Sequence, residues 1–192
     1  MSHFFAYIGR MKNIRRWSLM RSNQEENVQE HSLQVAMIAH CLALIENKRY
    51  GGTLNPEHVM ALAVFHETAE VITGDLVTPI KYYNDIIRSA YKDVEEMAQN
   101  RMLSMLPEDM REEYRPLIQS EDAPEYRYVK AADKIAAYLK CLEELRTGNQ
   151  EFYQAKQTLR KAIFDMNMPC AEDFLVEYAP SFEITLDELN KN

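Results

Sequence analysis

The chain has 192 residues, 46% apolar and 27% charged, with 5 Gly and 7 Pro. That is enough for a single domain over 1–192 to bury a core without disulfides, and too few turn signals for a many-stranded sheet. A formal charge of −8 excludes broad binding to a nucleic-acid polymer, which depends on neutralising many phosphates, and no run approaches the roughly 20 apolar residues of a membrane span.

Phe4, Phe5, Ile8 and Met11 recur at helical spacing, which predicts a first helix over about 2–12 and a less regular stretch from 17 to 26. No basic residue precedes the apolar Phe4–Ile8 run, as a signal peptide requires. Asn27 with Glu30 three residues on forms a capping-box pattern, and Leu33, Val35, Met37, Ile38, Leu42 and Ile45 carry a long helix to the stop at Gly51-Gly52. Asn55-Pro56-Glu57 is a cap, a first-turn proline and a first-turn acid; the helix it opens is expected to reach Gly74. After a loop over 75–79 come a long amphipathic helix over about 80–106 and a short one over 108–117. Pro124 opens a helix to Gly148, and two more follow over about 150–166 and 171–178. The expectation is an all-α helical bundle. Cys41, Cys141 and Cys170 are odd in number and far apart, so they are read as reduced thiols in a cytoplasmic protein.

Charge is unevenly placed. Arg10, Lys12, Arg15, Arg16 and Arg21 fall in the first 24 residues with no acid among them, a local cationic patch suited to a small phosphorylated ligand. Acids and histidines, by contrast, sit where a core should be. The run Ala61 to Ile72 is apolar nearly all round yet holds His66, Glu67 and Glu70, and a buried ion needs a partner or a metal. On a helix His66 and Glu70 share a face, and Glu67 and Glu70 are three apart. Asp133 stands among small apolar residues at Val129 to Ala137, where an ion pair with Lys130 or Lys134 is the plain alternative. His31 alone reads equally as a capping or core histidine. Together His31, His66, Glu67 and Asp133 make a nitrogen and oxygen donor set suited to Mn²⁺, Co²⁺, Fe²⁺, Ni²⁺ or Zn²⁺, one ion per chain.

His31, then His66-Glu67, then Asp133 resembles the HD-domain phosphohydrolase superfamily, whose metal is held by a histidine, a His-Asp pair and a distal aspartate. Four further segments, Arg16-Trp17, Glu30 to Ala36, Thr73 to Lys81 and Ala137 to Leu145, are similar to the bacterial 5′-deoxyribonucleotidases of the YfbR type. The resemblance implies an all-α HD-domain fold, a divalent metal, a homodimer, and hydrolysis of deoxyribonucleoside 5′-monophosphates. It puts His31, His66, Glu67 and Asp133 on the metal positions and Glu70 and Asp75 on acids of the chemistry. Arg16 falls on the phosphate-orienting arginine, and Trp17 with Asp75, Leu76, Val77 and Thr78 on substrate contacts, alongside His31, Glu67 and Asp133.

Two positions leave that pattern: Glu67 stands where the family has Asp, and Val77 replaces a proline common in its loop. Three rivals remain beside this reading. His66-Glu67-Thr68-Ala69-Glu70 approaches the HExxH helix of zinc peptidases but lacks the second histidine. The others are an HD-fold enzyme for another phosphorylated small molecule, and a helical dimer whose catalysis Glu67 has spoiled.

Overall fold

The first helix is shorter than its apolar spacing predicts. In the computed structural model, which describes residues 1–77, 80 and 83–191, α1 spans Phe4–Ile8 and a separate 3-10 turn spans Met11–Asn13. The Arg10 and Asn13 amides donate to the Tyr7 and Arg10 carbonyls, three residues back, which tightens the chain past Gly9 and ends the α-helical ladder. Residues 14–27 then form a loop pinched by an antiparallel bridge between Arg15 and Asn27.

At Asn27 the capping box forms as its sequence predicts, and α2 runs Val28–Arg49. The Asn55 side chain accepts from the His58 amide and Pro56 fills the first turn of α3, Pro56–Phe65. The expected continuation to Gly74 does not occur: 66–69 is a turn, and α4 is only Glu70–Thr73. His66 Nδ1 and Thr68 Oγ1 lie 2.7 Å from the Ala63 and Phe65 carbonyls, which an uninterrupted helix would commit to its own amides. Asn84 caps α5 at Asp85, later than the expected start, and α5 ends at Ser104. Then come α6 (Glu108–Ile118), α7 (Tyr126–Arg146), α8 (Tyr153–Phe164), α9 (Pro169–Glu177) and α10 (Leu186–Leu189). There is no strand among the described residues, and none of their helices is long and apolar enough to cross a membrane.

The core lies where α2, α3 and α7 meet. Val35, Ala39 and Leu42 of α2, Leu62 of α3, and Ile135 and Leu139 of α7 are all excluded from water. Ala131, Ala132 and Ala136 have no exposed surface, and their small side chains let α7 approach closely, so Asp133 is carried toward the start of α2. A smaller cluster of Phe4, Met102, Leu103, Leu106 and Ile118 ties α1 to α5 and α6.

One charged pair lies inside this apolar frame. Lys140 Nζ is 2.6 Å from Glu144 Oε1, and the two residues are 4% and 2% exposed. Glu144 also accepts from the Asn23 and Gln24 amides and from Asn149 Nδ2, while Lys140 donates to the Gln24 carbonyl. The pair therefore ties the 14–27 loop to α7. Burial opposes the Glu144 charge, but Lys140 and these N–H donors outweigh it and pull its pKa from the usual 4.5 down to about 2. Because the folded-state value is the lower one, the stabilisation is present above the unfolded value and is lost as pH falls from 4.5 toward 2. Lys140→Met is expected to strand a buried carboxylate and cost about 3–5 kcal/mol. The check is the urea midpoint at neutral pH; an unchanged midpoint would show that the pair contributes nothing.

Candidate metal centre

The first turn of α2 points His31 inward with no exposed surface, and His31 Nε2 lies 3.0 Å from Asp133 Oδ1 on α7. Asp133 thus meets a histidine, whereas Lys130 lies over the Tyr126 ring. His66 sits in the turn after α3 with its Nδ1 2.7 Å from the Ala63 carbonyl. A carbonyl can only accept, so Nδ1 carries a proton and Nε2 is the atom left for the site. That Nε2 is buried without a hydrogen-bond partner, 3.3 Å from Glu67 Oε1. One donor atom each from His31, His66, Glu67 and Asp133 lies within 4.8 Å of all the others.

The broken helix corrects the face argument made from spacing. On an α-helix adjacent residues diverge, but the 66–69 turn brings His66 and Glu67 together into the cluster. Glu70, expected on the His66 face, is not in it. It is 7% exposed at the start of α4, with Oε2 buried and unpaired. The HExxH reading, which requires an uninterrupted helix, fails for the same reason.

These donors fit a divalent transition metal. Ligands about 2.0–2.2 Å from a shared ion stand roughly 3–3.5 Å apart when adjacent, close to the two separations above. The backbone carbonyl on the far nitrogen of His66 is the support that ligating imidazoles carry. Electrostatics agree. Burial opposes ionisation of Glu67 and Asp133, yet His66 and Arg16 hold Glu67 well below the carboxylate range, and the His31 hydrogen bond draws Asp133 down to about 2. Burial likewise opposes a charge on His66, but Glu67 raises its pKa. The four groups together call for positive charge between them. Glu70 is shifted the other way, pushed up to about 10 by burial first and then by Glu67 and Asp75.

Arg16 feels the carboxylates of Asp133, Glu26, Glu67 and Asp75, which raise its pKa against the effect of burial. Its Nε donates to Glu26, as does Trp17 Nε1, and the Trp17 ring packs on Phe152 at 5.2 Å. Asp75, Leu76 and Val77 follow Gly74, whose φ of +73° turns the chain, and all three are half-buried; Thr78 lies outside the described residues. A cavity of about 570 Å³ opens beside the cluster, lined by His66, Glu67, Asp133, Tyr126, Arg88 and Lys134 among others. Arg16 and Trp17 are not in its wall; Arg16 reaches the field of Asp133 and Glu67 from the 14–27 loop, and Trp17 is held there by Glu26 and Phe152. The sequence reading missed Glu26, Phe152 and the cavity cations Arg88 and Lys92, and it named Lys130 and Lys134 only as ion-pair partners for Asp133. For Glu26 no local pattern exists, since only the folded loop brings it to Arg16.

Fold and site together define a helical protein with a two-histidine, two-carboxylate centre of the kind metallohydrolases use. The sequence model of the 5′-deoxynucleotidase YfbR-like family matches residues 3–182. A 5′-deoxynucleotidase of Vibrio cholerae is 54% identical over 191 residues, 98% of either chain. The 5′-deoxynucleotidase YfbR of Salmonella arizonae is 48% identical over 193 residues, 100% of this chain and 97% of its own. An HD-domain phosphohydrolase from Listeria innocua superposes with a TM-score of 0.81 at 25% identity, covering 94% of this chain and 88% of that one. The chain belongs to the YfbR-like 5′-deoxynucleotidase family, with an all-α HD-domain fold.

Proposed function

We propose that this chain hydrolyses deoxyribonucleoside 5′-monophosphates to deoxyribonucleoside and phosphate at the cluster of His31, His66, Glu67 and Asp133. The observation that carries the assignment is the convergence of those four donors around a His66 Nε2 that is buried and without a hydrogen-bond partner. Family membership supplies the reaction. A divalent transition metal held by the four residues would supply a Lewis acid for the phosphate oxygens, and the mixed donor set suits Mn²⁺, Co²⁺, Fe²⁺, Ni²⁺ or Zn²⁺.

The chain's own groups divide the remaining work. Glu26 engages Arg16 at Nε, which assigns its terminal N–H groups to the phosphate. Glu70 holds a proton in its buried carboxyl and is the group able to deliver one to the leaving 5′-oxygen, while Asp75 orients the attacking water. Trp17 bounds the sugar, where contact at C2′ disfavours a ribose hydroxyl, and Asp75, Leu76, Val77 and Thr78 complete the substrate contacts. The cavity volume lies within the range of small-ligand sites.

Two further readings attach to this function. The exposed α2 side chains Leu33, Met37 and Leu44 recur along one face, which supports a homodimer. Three free cysteines suit a reducing compartment and support a cytoplasmic location.

The test is phosphate release from dAMP and AMP by metal-loaded protein. Faster release from dAMP is expected, and no release from either by protein with bound metal would sink the reading. Arg16→Ala is expected to lower kcat/KM for dAMP by about 100-fold or more, the scale of losing one preorganised donor to a charged transition state, with metal content unchanged. Parental kcat/KM would remove Arg16 from the phosphate.

A further inference from the structure

Arg16 and Trp17 serve different parts of the nucleotide, and one oxygen joins them. Glu26 Oε2 accepts from Arg16 Nε at 3.1 Å and from Trp17 Nε1 at 2.9 Å. The side chains of Arg16 and Glu26 are only 12% and 11% exposed, so water competes little for these bonds. The Glu26 carbonyl also accepts the Arg16 amide at 3.0 Å, which makes Glu26 grip Arg16 through both backbone and side chain. Trp17 meanwhile holds a φ of +58°, a left-handed conformation that a bulky residue adopts only when its surroundings impose it. The Nε1 bond to Glu26 and the Phe152 ring hold its side chain, and its carbonyl accepts the Met20 amide at 2.8 Å.

We propose that Glu26 is a positioning residue that fixes Arg16 and Trp17 as one unit, and so couples phosphate orientation to the choice of deoxyribose over ribose. The proposal rests on the roles given above to Arg16 and Trp17. Glu26 itself touches no reacting atom; it acts by engaging Arg16 at Nε, which assigns the terminal N–H groups to the phosphate, and by holding the indole plane against rotation. Loss of Glu26 leaves the loop tethered at Asn23 and Gln24 through Glu144, so the disturbance stays local to the Arg16-Trp17 arm.

Trp17 is the only tryptophan in the chain, so intrinsic fluorescence reports on this residue alone, with or without metal. Glu26→Ala is expected to lower kcat/KM for dAMP by about 10- to 100-fold, the scale of a small misplacement of a substrate-holding group. It should narrow the dAMP to AMP ratio, make Trp17 more open to acrylamide quenching, and leave metal content unchanged. Glu26→Gln keeps the shape and one carbonyl acceptor and should fall between parent and alanine variant; if Glu26→Ala does not fold, it carries the same comparison. In an Arg16→Ala background, Glu26→Ala should cost dAMP turnover much less than in the parent, because the part of its effect that runs through Arg16 is already lost, while the part through Trp17 still narrows the dAMP to AMP ratio. An equal loss on both substrates with unchanged quenching would mark a merely structural role and overturn the proposal. Parental behaviour of both Glu26 variants, when Arg16→Ala and Trp17→Ala are impaired, overturns it alone. Parental behaviour of Arg16→Ala and Trp17→Ala overturns the reading beneath it as well.

Discussion

Alanine at Asp133 or at His66 is expected to strip the protein of its metal and lower phosphate release by more than about 1,000-fold, since a Lewis-acidic ion supplies several kcal/mol of transition-state stabilisation. The two variants remove donors that come from different segments of the fold. Asp133 comes from α7 and His66 from the turn after α3, and His31 of α2 contacts both. Asp133→Ala also leaves His31 Nε2 buried without its Asp133 partner, so a loss of about 1–3 kcal/mol in stability should accompany the loss of metal. His66→Ala strands no buried nitrogen but removes a buried ring and its Nδ1 bond to the Ala63 carbonyl, so a stability loss should accompany its metal loss as well. Elemental analysis after dialysis, circular dichroism and phosphate release from dAMP separate the two effects. Full metal retention in both variants would show that this cluster is not the metal centre.

How much of this was legible in the sequence depends on whether the signal was local. The Asn27 and Asn55 caps were, because the residues that set each boundary lie within one turn of it, and both helices start where predicted. The four clustered residues were legible as misfits, charged or titratable groups in apolar runs, although their convergence from three separate segments is a property of packing alone. The break at 66–69 was not legible, since helical periodicity continues through it and the competing acceptors, Ala63 and Phe65 carbonyls, are taken by side chains whose rotamers the tertiary structure selects. Lys140 and Glu144 are a different case. They sit in an apolar stretch of α7 and meet the same misfit criterion that drew attention to Asp133, and that criterion, applied evenly, would have found the pair. Glu26 had no such signal, because its neighbours in sequence are polar and its partners are joined to it only by the loop's closure.

The remaining large effect concerns Glu67, the one metal position at which this chain leaves the family pattern of aspartate. Metal coordination tolerates errors of only about 0.2 Å in ligand distance, so an extra methylene has to be absorbed by the backbone or by the rotamer. The structure offers a place for it. Glu67 stands in a turn rather than on a helix, its side chain is 20% exposed, and its carboxylate still reaches within 3.3 Å of His66 Nε2. Its ionisation is held in place by His66 and Arg16 in spite of burial, which keeps it an anionic donor at any pH near neutrality. Glu67→Ala is therefore expected to weaken metal binding and to lower turnover by about 1,000-fold, the scale of losing the ion. Glu67→Asp should keep the metal, because the family position accepts aspartate, while altering rate or metal preference, because the carboxylate withdraws by one methylene from a turn shaped around glutamate. Titration of both variants with Mn²⁺, Co²⁺ and Zn²⁺, followed by phosphate release at saturating metal, makes the comparison. Parental affinity and turnover in Glu67→Ala would show that this side chain is not a ligand. A Glu67→Asp variant that binds no metal would show instead that the turn, and not only the side chain, has been committed to glutamate.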